Sequence, residues 1–248
     1  GVTRVTEPAP TRDHTERMLA GFGVRLARDG ASVSIAGGQR LTATRVDVPA
    51  DISSAAFFLV AGALAAHDGL VLRNVGVNPT RTGIIDILRL MGADIRIENL
   101  RESGGEPSAD LIVRAGPLRG VRIPEALVPL AIDEFPALFI AAAAAGGATE
   151  LSGAGELRVK ETDRLAVMAE GLATLGVRHE LRADGIRIEG GPVSGGTIDS
   201  HGDHRIAMAF AIASLRATGP LEILDVANVA TSFPGFVPLA RSAGLAIS

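Results

Sequence analysis

The 248-residue sequence contains no cysteine. A disulfide framework, a thiol nucleophile and a thiolate-bound metal are therefore excluded, and a reducing, cytoplasmic setting is expected. Tryptophan and tyrosine are absent too, which leaves eight phenylalanines as the only aromatic residues and few anchors for a protein-binding surface. No block of Lys and Arg breaks a chain whose formal net charge is −4, so a nucleic-acid partner is not expected. No apolar run is long and clean enough for a membrane span; "FPALFIAAAAAGGA" is too short and reads as a buried helix. No secretory leader is visible, since Gly1 opens directly onto "VTRVTEP". The five histidines form no zinc pattern, and no metal is expected.

What is present is small and apolar. Hydrophobic residues make up 47% of the chain, with 30 glycines and abundant alanine, enough for a large core and more in keeping with two compact units than one. The pattern also repeats. "GVTRVTEPAPTRDHTERMLAGFGVRL", "GLVLRNVGVNPTRTGIIDILRLMGADIRI", "GATELSGAGELRVKETDRLAVMAEGLATLGVRHEL" and "GPLEILDVANVATSFPGFVPLARSAGLAIS" each read as strand, polar loop, amphipathic helix, glycine and strand. Ile84, Ile87, Leu88 and Met91 fall at helical spacing, as do Leu165, Met168, Leu172 and Leu175. Gly23, Gly92, Gly176 and Gly244 sit where a helix end wants a left-handed residue.

A second pattern precedes the last three copies: "DISSAAFFLVAGALAAHDG", "IDEFPALFIAAAAAGG" and "DHRIAMAFAIASLRATG". Each is a polar start followed by a helix apolar nearly all round, and so buried. The complete unit is buried helix, strand, amphipathic helix and strand, with a period of roughly 70 residues. "IRIENL" and "GIRIEGG" alternate like strands and are assigned to sheet edges. "GGPVSGG" lacks the Lys-Ser/Thr ending of a phosphate loop and reads as a turn, and "SGGEPSAD" as a surface loop. The first copy has no buried helix before it, so the chain is expected to start inside a unit, as a fragment or one piece of a split protein. Polar "RVDVPADISS" marks the boundary: residues 1–50 as the last part of a first domain, 51–248 as nearly all of a second.

Charged and polar groups gather at the starts of the helices: Arg12-Asp13-His14, Asp133-Glu134, "LRVKETDR" ahead of "LAVMAEGLATLG", Asp203-His204-Arg205, and Thr231-Ser232. Cations at a helix start oppose the helix dipole, so Lys160 and Arg164 pose a question. Unpaired N–H groups there favour phosphate and carboxylate, and Lys and Arg add to that preference. If the repeats are related by pseudo-symmetry, these starts share one end of the assembly and form an anion site. Residue by residue, plainer readings stand beside this. Taken alone, Asp133 and Glu161 read better as cap charges, and His204 more often as a packed or surface histidine than a catalytic one. Arg205 is harder to dismiss, because it abuts the apolar "IAMAFAIA".

"LRVKETDRL", "DHRIAM", "IDEFP" and "TSFP", in this order and spacing, resemble the 5-enolpyruvylshikimate-3-phosphate (EPSP) synthase family, over essentially the whole chain. "PAPTRDHTERML" and "NPTRTG" are closer to its bacterial glyphosate-tolerant class than to the enteric one. The resemblance implies an α/β fold, an inverse α/β barrel built from repeated helix-and-strand units with buried helices inside and sheets outside. It implies transfer of the enolpyruvyl group of phosphoenolpyruvate to the 5-hydroxyl of shikimate 3-phosphate by addition and elimination, without metal or cofactor. By the same resemblance Asp133 receives the hydroxyl proton and holds shikimate 3-phosphate, and Glu161 exchanges a proton with the methylene carbon. Lys160 contacts the substrate or its phosphate region, and Arg164 and Arg205 clamp the phosphoenolpyruvate carboxylate beside His204. Arg12 binds shikimate 3-phosphate from the first-domain side.

Two departures stand out. Thr231 occupies a loop position where the enteric class carries lysine. The family's N-terminal Lys-Ser segment, Gly-rich loop and Ser-Gln motif are not among these residues, so the missing N-terminal portion is an expected partner and the chain alone is expected to be inactive. The rival readings are a UDP-N-acetylglucosamine enolpyruvyl transferase, a non-catalytic anion-binding repeat scaffold and an RNA-end-processing enzyme of similar repeats. The "LRVKETDR" and "DHRIAM" pair speaks against the first, and the charge distribution lends nothing to the last.

Overall fold

A computed structural model describes residues 1–7 and 11–248; the first three residues of "PAPTRDHTERML" lie outside them. The first unit comprises β1 (Val2–Thr6), α1 (His14–Gly21), β2 (Leu26–Asp29) and β3 (Ser32–Ala36). Its central strand is β3, antiparallel to both neighbours. Residues 37–49 carry neither helix nor strand. The second unit follows: α2 (Ile52–Ala65), β4 (Leu70–Gly76), α3 (Gly83–Leu90), β5 (Asp94–Ser103) and β6 (Glu106–Arg114). The third has α4 (Phe135–Ala144), β7 (Ala148–Leu151), α5 (Arg164–Thr174), β8 (His179–Leu181) and β9 (Ile186–Glu189). Both repeat the same sheet, with the last strand in the middle and antiparallel to the other two. The last comprises β10 (Gly196–Asp199), α6 (His204–Ala213), β11 (Leu221–Leu224), α7 (Val229–Ser232) and α8 (Phe236–Ser242).

The apolar helices α2, α4 and α6 pack on one another, and each crosses between parallel strand segments. Ala50 bridges Val75 around α2, Arg122 bridges Glu150 around α4, and β10 pairs with β11 around α6. Nine of the ten residues of α4 are buried, as its lack of a polar face requires. Fully burying each Phe, Leu or Ile contributes about 1.5–3 kcal/mol. Small residues make the close approach possible: a Cβ on Gly62 of α2 would stand 2.3 Å from Val113 Cγ1, and one on Gly171 of α5 would stand 2.1 Å from Phe210 Cζ.

The amphipathic helices follow their spacing. Ile84, Ile87, Leu88 and Met91 are buried beneath α3, and Leu165, Met168, Leu172 and Leu175 beneath α5. Gly23, Gly92, Gly176 and Gly244 all take positive φ after their helices.

Four local readings change. "SGGEPSAD" is not a surface loop: Gly104 and Gly105, at φ +60° and +86°, join β5 to β6 in a tight hairpin. That turn packs on α1, where a Cβ on Gly105 would meet Arg17 O at 2.4 Å. "GIRIEGG" supplies a central strand, β9, whereas "IRIENL" does lie at an edge in β5. "LRVKETDR" does not open its helix directly. A 3-10 turn covers Gly155–Val159, and α5 starts only at Arg164. The closing "GLAIS" forms no strand.

Candidate active site

The N-terminal ends of the three buried helices meet. Asp51 and Asp203 cap α2 and α6 by accepting from Ser54 N–H and Arg205 N–H, leaving the following residues to face the junction. Asp133 stands one residue before the α4 cap, beneath the loop that carries Lys160 into α5. Asp163 caps α5 through Ala166 N–H and is itself held by Arg158 at 2.6 Å. That fixes the turn from which Lys160, Glu161 and Arg164 project.

Asp133 is the hub. Its Oδ2 accepts from Arg12 Nη2, while Oδ1 lies 3.2 Å from Lys160 Nζ and 3.7 Å from Arg164 Nη1. Its backbone carbonyl accepts from Arg205 Nη1 at 3.1 Å. Lys160 also pairs with Glu156. Arg164, 1% exposed, touches three carboxylates: Asp133, Glu161 through Nη2 at 2.5 Å, and Asp203 through Nε at 2.8 Å. Thr162 adds a 3.2 Å bond to Asp203. This is why a cation tolerates the first position of α5: fixed carboxylates surround it and offset the dipole.

Burial opposes the charge on Asp133. The Arg12 bond and the charges of Arg205 and Lys160 win, holding its carboxyl well below the usual carboxylate range. Burial likewise opposes Asp203, and the bond and charge of Arg164 with the Arg205 N–H more than offset it, so its pKa is lowered. Glu134 goes the other way: burial raises its pKa against the Ser53 bond and the charges of Arg205 and Arg81. Burial and the charge of Arg205 lower the pKa of His204, which favours the neutral imidazole.

Arg12, Asp133, Lys160, Glu161, Arg164 and Arg205 are thus joined by direct contacts, Glu161 through Arg164. His204 lies to one side, lining a cavity of about 150 Å³ with Arg205, Ser53 and Ser232. A second cavity, about 260 Å³, is lined by Arg12, Thr80, Glu156 and Lys160. Two cavities on either side of a cation cluster can receive anionic groups. Thr231, in α7, makes its hydroxyl bond to Asn228 O. Sequence reasoning placed Glu134 at a helix start but gave it no role, and it missed Ser53 and Arg81; Ser53 finds its partners 28 and 81 positions away. For Arg81 the signal available was an Arg inside "NPTRTG". Among the described residues no group of acids and histidines could hold a metal, and no helix is long and apolar enough to cross a membrane.

The family model for EPSP synthase (3-phosphoshikimate 1-carboxyvinyltransferase) matches residues 1–239. The chain belongs to the EPSP synthase family. A 3-phosphoshikimate 1-carboxyvinyltransferase of Alkalilimnicola ehrlichii is 66% identical across 100% of this chain, which spans 56% of that relative. The solved EPSP synthase of Acinetobacter baumannii superposes with a TM-score of 0.96 at 55% identity, covering 99% of this chain and 57% of that one. The enolpyruvyl transferase NikO of Streptomyces tendae, at 20% identity and a TM-score of 0.74 over 98% of this chain and 56% of its own, shares the fold. The chain therefore spans little more than half the length of the EPSP synthases it matches.

Proposed function

We propose that this chain carries the proton-transfer and anion-clamping part of an EPSP synthase. Residues 1–50 belong to the first domain and 51–248 to the second, with phosphoenolpyruvate and shikimate 3-phosphate as substrates. The observation that carries the reading is the convergence of Arg12, Lys160, Arg164 and Arg205 on Asp133, with Glu161 bonded to the same arginine.

The 5-hydroxyl oxygen of shikimate 3-phosphate attacks C2 of phosphoenolpyruvate. Asp133 takes the hydroxyl proton, and Glu161 delivers a proton to C3, which becomes a methyl group. In the second step the C2–O bond to phosphate breaks, the methyl returns a proton to Glu161, and phosphate leaves with the proton that Asp133 took from the hydroxyl. A carboxylate ringed by four cations is a weak base. The substrates' phosphates and carboxylates resolve this by drawing those cations to themselves, which raises the proton affinity of Asp133 when it is needed. Arg164 and Arg205 grip the phosphoenolpyruvate carboxylate, His204 lines that pocket, and Lys160 and Arg12 hold shikimate 3-phosphate.

Phosphate release from the two substrates tests this. The chain alone is expected to give no turnover, and the chain complemented by the N-terminal portion of the Acinetobacter relative is expected to restore it. In that complemented enzyme, Asp133→Asn and Glu161→Gln each lower kcat by about a hundredfold or more. Turnover that survives both substitutions would sink the assignment and favour a scaffold that only binds anions.

A further inference from the structure

Glu134 is a fully folded-in acid with no part in the chemistry above. Its residue is 2% exposed. It is the cap residue of α4, yet its side chain does not bond to that helix. At the equivalent positions of α2 and α6, the aspartates cap their own helices from extended backbone, at ψ 127° and 109°. Glu134 sits at ψ −5°, and its longer side chain leaves its own helix for the other two. Among the described residues, one oxygen, Oε1, carries the bonds and ion pairs to both neighbouring helices and to Arg81: it accepts from Ser53 Oγ in the first turn of α2, and lies 3.8 Å from both Arg81 Nη2 and Arg205 Nη1. Ser53 Oγ in turn accepts from Arg81 Nη2 at 2.6 Å. Two guanidinium groups are thereby held near each other behind the cavity that Arg205, Ser53 and His204 line.

We infer that Glu134 is a positioning residue: its Oε1 fixes Arg205 from behind, and through Ser53 fixes Arg81, so that Arg205 presents its remaining donors to the substrate. This rests on the assignment of Arg205 to the phosphoenolpyruvate carboxylate. Arg205 Nη1 is already committed to Asp133 O, so a guanidinium held on two sides keeps one orientation, and bidentate recognition of a carboxylate depends on that. A single shared acceptor also makes the prediction selective. Glutamine keeps a carbonyl oxygen at the same reach, leucine keeps the volume without the acceptor, and aspartate keeps the charge without the reach.

The test is steady-state kinetics of the complemented enzyme, with the Michaelis constant for each substrate measured separately. Glu134→Leu and Glu134→Asp are expected to raise KM for phosphoenolpyruvate tenfold or more and to leave KM for shikimate 3-phosphate within threefold. Glu134→Gln is expected to recover most of the difference. Values unchanged in both Leu and Asp variants, or a uniform loss in kcat that tracks a lowered Tm, would overturn the proposal. A Gln variant as defective as Leu would overturn the role of the shared oxygen. If the unsubstituted enzyme gives no turnover, the assigned reaction fails instead. The proposal is then decided on the chain itself, by hydrogen exchange at the Arg205 side-chain Nε–H in ¹⁵N NMR. Faster exchange in Glu134→Asp than in the parent supports it, and equal rates overturn it.

Discussion

Asp203 is fully buried and meets its partner Arg164 at 2.8 Å, with Arg164 itself 1% exposed. Replacing such a pair by apolar residues can be neutral, whereas removing one partner costs about 3–5 kcal/mol where the buried charge is left alone. Arg164 keeps Glu161 and Asp133, so Asp203→Asn is expected to destabilise the chain by less than that, about 1–3 kcal/mol at pH 7, in urea unfolding. The pH dependence has a definite sign. The folded pKa of Asp203 is depressed, so its contribution is present above the unfolded value, about 3.9, and is lost as pH falls through the folded one. The gap between parent and variant should narrow in acid; a gap constant from pH 7 down to the acid transition would contradict this account. Asparagine keeps an oxygen that accepts the Arg205 N–H, so the variant tests the ion pair with the helix cap left in place.

At the scale of elements, the glycines set how closely helices approach. Alanine is the better helix former by roughly 0.5–1 kcal/mol, but a Cβ on Gly171 would stand 2.1 Å from a ring carbon of buried Phe210. Overpacking costs about 1–3 kcal/mol, so Gly171→Ala is expected to lower Tm despite the gain in propensity, and a raised Tm would show that α5 can shift away from α6. Such helices were legible in the sequence because an all-apolar stretch or a three-and-four spacing is a local signal. Lys160, Arg164, Asp133 and Arg205 were legible as charges crowded against helix starts. The Glu134 junction was not, because Ser53 and Arg81 bond across units and neither position looks unusual within its own. The hairpin at Gly104–Gly105 was hidden by the proline and polar residues that follow its turn. The 3-10 turn before α5 was hidden because a polar run shows where a helix is near, not where its first bond closes.

Across the whole molecule, the described part of residues 1–50 meets the rest through polar contacts that include Arg12 to Asp133, Asp13 to Asn78 at 2.8 Å, His14 to Glu106 at 2.7 Å, and Asp47 N–H to Ser103 at 2.7 Å. Among these, Arg12 alone reaches Asp133. Its side chain is 43% exposed, so Arg12→Ala is expected to lower stability by about 1 kcal/mol or less. In the complemented enzyme it is expected to raise KM for shikimate 3-phosphate tenfold or more. An unchanged KM would remove Arg12 from the site. The meeting of three buried-helix N termini with the neighbouring cations has an effect that precedes contact. The chain as a whole is negative, at −4, yet at 0.15 M ionic strength charges further than about 8 Å apart are largely screened. An approaching anion therefore feels the pull of the helix ends and cations of the junction, set against its carboxylates, and little of the distant negative surface. Added salt erodes that attraction before the anion arrives but hardly weakens bonds already made in a sheltered site. Ionic strength thus governs how fast the junction captures its ligand far more than how long it keeps it.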